Sequence, residues 1–333
     1  MPTISTEVLV QGILNGDKRL LSKAITLVES KKTEHQQQAE GLLRQILPHT
    51  GRSVRLGITG VPGAGKSTFI ESFGQYAIRQ GQKVAVLAID PSSSRTKGSI
   101  LGDKTRMEEL AREPHAFIRP TPSSGFLGGV ANTTFETMLL CEAAGYDMIL
   151  IETVGVGQSE TLVADITDVF LFLKIIGGGD ELQGIKRGIM EMVDLIFINK
   201  VNDENRQKAK NTKLELSRAL QFLPPKEPQW KVPILLGSAL HHEGIAEVYN
   251  QIQDYIQFKK DHNRWQLSRQ QQAEKRFDYW VQNYILAQTQ QSHALAEQYA
   301  THKNKVYQLH ANPSTEAKAF VAQLLKTNPK TEE

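Results

Sequence analysis

Three kinds of hydrophobic pattern follow one another along the chain. Over residues 1 to 50, Leu9, Ile13, Leu20, Leu21, Ile25 and Val28 recur at helical spacing, and LLRQILPH forms a second helical segment ending near Pro48. Short continuous apolar runs come next: SVRLGIT (53–59), KVAVLAID (83–90), HAFIRP (115–120), DMILIET (147–153), VFLFLKII (169–176), LIFINK (195–200) and VPILLGSA (232–239). Helix-like segments of ten or more residues separate most of them. Unbroken apolar strands alternating with helices predict an α/β fold, with a mostly parallel sheet of about seven strands covered by helices on both faces. After about residue 258 the apolar strands stop. RWQLSRQQQAEKRFDYWVQNYILAQTQQ is polar, Gln-rich and helical in pattern, with Trp265, Phe277, Trp280 and Tyr284 as spaced apolar anchors. Two readings of it stand: an arm for a partner or a second copy, or a helix packed on the main domain. The end, KTNPKTEE, reads as frayed. The expected layout is a helical extension over 1–50, an α/β domain over 51–258 and a helical arm over 259–333.

Composition narrows the class. The 333 residues are 40% apolar, enough for a large core, and 39 basic against 36 acidic residues leave a net charge of +3. No strong field for nucleic acid or membrane is expected from that balance. One cysteine, Cys141, excludes an internal disulfide and fits a reducing compartment. The N-terminus lacks a basic stretch followed by an apolar one, and no apolar run reaches membrane-spanning length, so the expected location is the cytoplasm.

The strand SVRLGIT leads directly into Gly60-Val61-Pro62-Gly63-Ala64-Gly65-Lys66-Ser67-Thr68, and a helical pattern follows. This is G-x-x-x-x-G-K-S in its required context, the phosphate loop of P-loop nucleoside-triphosphatases. Glycines let backbone N–H groups curl around a β-phosphate without Cβ clashes, and the helix N-terminus adds its partial positive charge. Lys66 spreads charge over the β- and γ-phosphates, and Ser67 offers a hydroxyl to Mg²⁺.

Ligands of open parallel sheets bind at the carboxyl ends of strands. Asp90 ends one strand and Glu152 another, so both are candidates to face the same Mg²⁺ as Ser67; Asp103, in the glycine-bearing GSILGDKTRM, is a third. Each could instead be a helix cap or a surface carboxylate. Glu152 opens E-T-V-G-V-G-Q-S-E, where Gly155 can give a backbone N–H to a γ-phosphate. The next position often carries a water-positioning glutamine in signalling GTPases; here Val156 cannot orient water, which predicts slow intrinsic hydrolysis completed by a partner or a rearrangement. Gln158 is a candidate substitute.

LIFINK ends in Asn199-Lys200-Val201-Asn202-Asp203, where GTPases use N-K-x-D: Asn braces loops, Lys stacks along guanine, and Asp accepts from N1–H and the 2-amino group. Asn202 occupies the Asp position. An amide presents one acceptor and one donor where a carboxylate presents two acceptors. Further on, Gly237-Ser238-Ala239-Leu240 matches the S-A-L/K loop whose backbone N–H meets guanine O6.

Taken together, these motifs make the chain resemble the MeaB/ArgK family of P-loop GTPases, whose animal counterpart is the MMAA protein. The likeness spans roughly residues 15 to 255: DKRLLSKAITLVES, GITGVPGAGKSTFIE, AIDPSSSRTKGSILGDKTRM, RPTPSSGFLGGVA, ETVGVGQSE, GGGDELQGIKRGIMEMVDL and the GSAL loop. Asn202 departs from it, since the family usually has Asp there. The resemblance implies a G-protein chaperone that gates adenosylcobalamin delivery to, and protects, an acyl-CoA mutase such as methylmalonyl-CoA mutase, with GTP hydrolysed to GDP as the timer. It implies that Gly60 to Thr68 bind phosphates and that Ser67, Asp90, Asp103 and Glu152 surround Mg²⁺. It also implies that Gly177 to Gly188 form a third switch, in which Lys186 or Arg187 supplies transition-state charge or simply starts a solvated helix. A homodimer through the C-terminal helices is implied too. Against this stand a small-molecule kinase, for which no Arg-bearing lid is evident, and a nickel-handling GTPase, for which His241-His242 is the only adjacent His pair.

Overall fold

The computed structural model describes residues 4–30, 32–90, 107–122, 127–153, 159–176, 187–291 and 293–326. The chain divides into two compact units, Met1–Gln266 and Leu267–Glu333.

All seven apolar runs form strands: β1 (Val54–Gly60), β2 (Val84–Asp90), β3 (Ala116–Pro122), β4 (Met148–Glu152), β5 (Val169–Ile175), β6 (Leu195–Asn199) and β7 (Ile234–Leu236). They make one sheet in the order β3-β2-β4-β1-β5-β6-β7, and every pairing is parallel. The sequence pattern asked only for a mostly parallel sheet. Strands buried on both faces have no use for a polar alternate position, which is why the runs are unbroken. Successive residues still point to opposite faces, and the core divides accordingly. Leu56, Ile58, Leu171, Leu195 and Phe197 lie in one cluster; Ile151, Phe170, Phe172, Ile196 and Ile198 lie in the other.

The first cluster is closed by α4 (Lys66–Arg79), α5 (Glu108–Arg112) and α10 (Ile245–Asp261), through Phe69, Phe73, Leu110, Val248 and Tyr255. The second takes the N-terminal α1 (Thr6–Leu14), α2 (Lys18–Val28) and α3 (Thr33–Ile46) together with α6 (Leu127–Ala143), α7 (Ser159–Ala164), α8 (Arg187–Met192) and α9 (Arg206–Gln221). The N-terminal helices thus share a core with the sheet. The apolar period over residues 9–28 hid a break between α1 and α2: Gly16 turns at φ 74°, and Asp17 caps α2 by accepting from the N–H groups of Arg19 and Leu20.

The second unit takes most of α11 (Arg264–Gln291), together with α12 (His293–Tyr307) and α13 (Pro313–Lys326). Within it, Phe320 is buried against Tyr299, and His302 bonds Glu316. The residues from Thr327 onward, including most of the segment expected to fray, lie outside the described residues. No helix among the described residues is long and apolar enough to cross a membrane.

Candidate functional site

β1 lies in mid-sheet between β4 and β5, where successive connections leave in opposite directions. The crevice above such a point is where open α/β sheets bind ligands. The loop from Val61 to Gly65 leaves β1 there and enters α4 at Lys66. Two glycines are required by the geometry. Gly65 caps α4 in the left-handed region, φ 86°, where a Cβ would also stand 2.7 Å from the amide nitrogen of Asn199. A Cβ on Gly60 would meet the Leu173 carbonyl oxygen at 2.5 Å. Gly63, at φ 80°, faces open space and is exposed along with Pro62. The first N–H groups of α4 have no partner within a helix, so this end is built to meet an anion.

Lys66 is 9% exposed, and its Nζ donates to the Gly60 carbonyl at 2.8 Å. Burial holds this ammonium below the ordinary lysine range, while the carboxylates of Glu152 and Glu160 pull the other way. Its ready hydrogen-bond partners are therefore backbone carbonyls inside its own loop. Ser67 and Thr68 follow, half-buried, in the first turn of α4.

Glu152 is the last residue of β4, half-buried, level with Ile58 of β1 on one side and Ala88 of β2 on the other. Asp90 ends β2 two residues past that level, paired in register with Pro122 of β3. Thr153 bonds the Ile58 carbonyl through its N–H and Thr59 Oγ1 through its hydroxyl, which fixes where the chain leaves β4. Ser67, Asp90 and Glu152 are thus brought to one edge of the sheet. Asp103, Gly155, Val156, Gln158 and Lys186 lie outside the described residues, as does most of the segment from Gly177 to Gly188.

The loops after β6 and β7 are tied to the phosphate loop by one side chain. Asn199, 2% exposed, donates from Nδ2 to the Ala64 carbonyl at 2.9 Å and accepts at Oδ1 from the Ala239 N–H at 2.9 Å. Lys200 follows at φ 62° and is exposed, and Val201 N–H bonds the Gly237 carbonyl at 3.0 Å. Ser238 and Glu243 exchange two backbone bonds across a tight turn that carries the buried Ala239 and the exposed Leu240. The turn needs Gly237, where a Cβ would sit 2.2 Å from the Glu243 carbonyl oxygen. His242, in this turn, meets Ser72 Oγ of α4 through Nδ1 at 2.6 Å, so one ring nitrogen of the His241-His242 pair is already engaged.

Asn202 and Asn205 are joined reciprocally: Asn202 N–H donates to Asn205 Oδ1 at 2.8 Å, and Asn205 N–H donates to Asn202 Oδ1 at 3.0 Å. Asp203 is fully exposed and lies 3.6 Å from the Arg206 guanidinium.

Two features escaped the sequence reading. Glu160, 4% exposed on α7, lies within electrostatic reach of Lys66, and the only hint was an unassigned acid at the end of E-T-V-G-V-G-Q-S-E. The Ser72–His242 bond joins residues 170 apart in sequence, and no local pattern signals it.

Comparison with known proteins gives one consistent picture. A family model described as methylmalonyl Co-A mutase-associated GTPase MeaB matches residues 21–294. A putative GTPase of Caulobacter vibrioides is 54% identical over 252 residues, which is 76% of this chain and 77% of that protein. The GTPase ArgK of Escherichia coli is 49% identical over 282 residues, 84% of this chain and 85% of its own. A crystal structure of a LAO/AO transport system kinase superposes with a TM-score of 0.77 at 37% identity, covering 97% of this chain and 98% of that one.

Proposed function

Because the chain belongs to the MeaB family of methylmalonyl-CoA mutase-associated P-loop GTPases, we propose that it is a switch GTPase serving an adenosylcobalamin-dependent acyl-CoA mutase of the methylmalonyl-CoA type, gating delivery of intact cofactor and protecting the enzyme. GTPase activity and guanine-nucleotide binding come with the family; the mutase service is the step added here. The observation that carries the reading is Asn199, whose single amide joins the phosphate loop to the turn after β7. Triphosphate end and base end are thereby coupled, which is what a protein needs if it is to report on its nucleotide.

In this reading the N–H groups of Gly63 to Thr68 wrap the phosphates. Lys66 exchanges its carbonyl partner for β- and γ-phosphate oxygens, and Leu240 presents a base-end amide, the Ala239 N–H being held by Asn199 Oδ1. Ser67, Asp90 and Glu152 form an all-oxygen donor set, the chemistry of a Mg²⁺ site that keeps several waters and phosphate oxygens among its ligands. Bound there, Mg²⁺ would neutralise charge on the β- and γ-phosphates. Asp103, Gly155 and Lys186 complete the proposed set by resemblance. With Val156 beside Gly155, hydrolysis is slow until the mutase engages. The label of transport kinase carried by a structural relative adds nothing to this scheme.

We also propose a homodimer through the helices after residue 258, in the cytoplasm. The exposed Phe277, Val281, Tyr284 and Ile285 of α11 support it, and sedimentation would test it. The test of the main reading is GTP turnover by the pure chain with and without a candidate mutase. Stimulation on mixing is expected; indifference to every adenosylcobalamin-dependent acyl-CoA mutase tried would remove the mutase from the account.

A further inference from the structure

The nucleotide-site reading leaves one residue at odds with it. Asn202 stands where the base edge of a purine is read, three residues beyond the Asn199 brace and in the loop whose Val201 bonds the turn after β7. Its amide orientation is fixed by chemistry. A backbone N–H can bond only the oxygen of an amide, so the bond from Asn205 N–H assigns Oδ1 and leaves Nδ2 as the other edge. No described residue accepts from Nδ2. The reciprocal bond from Asn202 N–H to Asn205 Oδ1, and that from Asn205 Nδ2 to the Lys200 carbonyl at 2.9 Å, hold the loop in this form. A carboxylate at 202 could make the same Asn205 bond and still offer its second oxygen. Here the free atom is a donor.

Asp203 does not repair this in the form seen here, because its carboxylate lies 3.6 Å from the Arg206 guanidinium rather than in the Asn202–Asn205 exchange.

Guanine shows two donors on this edge, N1–H and the 2-amino group. Asn202 Oδ1 keeps a lone pair for one of them, and Nδ2 then opposes the other, donor against donor. Xanthine shows N1–H and a carbonyl at C2, which matches one acceptor and one donor. Hypoxanthine shows N1–H and nothing that conflicts.

We propose that Asn202 sets the base specificity of this chain, so that it uses xanthosine and inosine triphosphates at least as well as GTP. The inference rests on the nucleotide-site reading above. Asn202 is exposed here, and once a base covers it a donor-against-donor mismatch changes discrimination by roughly 10-fold or more.

The experiment measures kcat/KM and binding for GTP, ITP, XTP and ATP on the wild-type chain, Asn202→Asp and Asp203→Asn. Expected are an ITP value no lower than that for GTP, an XTP value equal to or above it, and weak ATP. Asn202→Asp should raise GTP over XTP by about 10-fold or more, restoring the second acceptor. Asp203→Asn should leave the GTP:XTP ratio unchanged. The proposal is overturned if wild type prefers GTP over XTP by the same margin as Asn202→Asp, or if Asp203→Asn abolishes a GTP preference. Failure of all four nucleotides to bind would overturn the site reading itself, and this inference with it.

Discussion

The two ends of the sheet treat buried charge in opposite ways. At the amino end, polar groups close on one another. Arg55 Nε donates to Glu142 at 2.8 Å, Glu142 also accepts from the Gly51 N–H, and Asp168 accepts from the Arg55 N–H. Beside β6, Asp194 accepts from Tyr255 OH at 2.6 Å, from Lys226 Nζ at 2.8 Å and from the Phe170 N–H at 2.8 Å. At the carboxyl end, Lys66 is 9% exposed and, among the described residues, finds only loop carbonyls as hydrogen-bond partners, with two carboxylates in electrostatic range. The first arrangement is finished without a ligand and serves the fold. The second holds a cation and an open helix start together, and an anionic ligand completes it.

The comparison breaks first at Asp194. Asp194→Ala would strand a lysine, a tyrosine hydroxyl and a backbone N–H, with a cost of about 3–5 kcal/mol in chemical denaturation. GTP affinity of the folded fraction should stay at the wild-type level; a loss of affinity in step with stability would mean the two ends are not separable.

Asn199→Ala tests the carboxyl end in the opposite sense. It removes both brace bonds, at a stability cost of about 1–3 kcal/mol, yet nucleotide binding should fall by about 10-fold or more. Affinity equal to wild type would show that the phosphate loop and the β7 turn hold their places without the brace.

Smaller in size is a pH effect. Burial depresses Lys66, so the folded chain loses this proton at lower pH than the unfolded one does. Stability of the nucleotide-free chain should then rise with pH between that depressed value and the ordinary lysine value, as the buried charge is relieved. A bound triphosphate favours the ammonium, so binding at alkaline pH should take up a proton. Calorimetry in two buffers of different ionisation heat would detect it, and Lys66→Arg, charged throughout, should show none.

How legible these regions were in the sequence differs for a physical reason. The strands could be read because burial on both faces leaves runs such as VFLFL and LIFIN with no polar interruption. The phosphate loop could be read because its function depends on local backbone shape, which Gly60, Gly63, Gly65 and Lys66 write within a few residues. Contacts between distant segments could not. Arg55 meets Glu142 across 87 residues, Tyr255 meets Asp194 across 61, and nothing in either neighbourhood names its partner. Glu160 was hidden in the same way, since an acid in a glycine-bearing segment looks solvated until the fold buries it. For Asn202 the sequence showed the departure, and only the bond from Asn205 showed which edge of the amide is free.

The most direct measurement of the central claim is GTP binding by Lys66→Ala, made by titration calorimetry on protein whose folded state is confirmed by its thermal transition. The account predicts a loss of affinity of about 100-fold or more, with the fold retained. Wild-type affinity and turnover in that variant would contradict it.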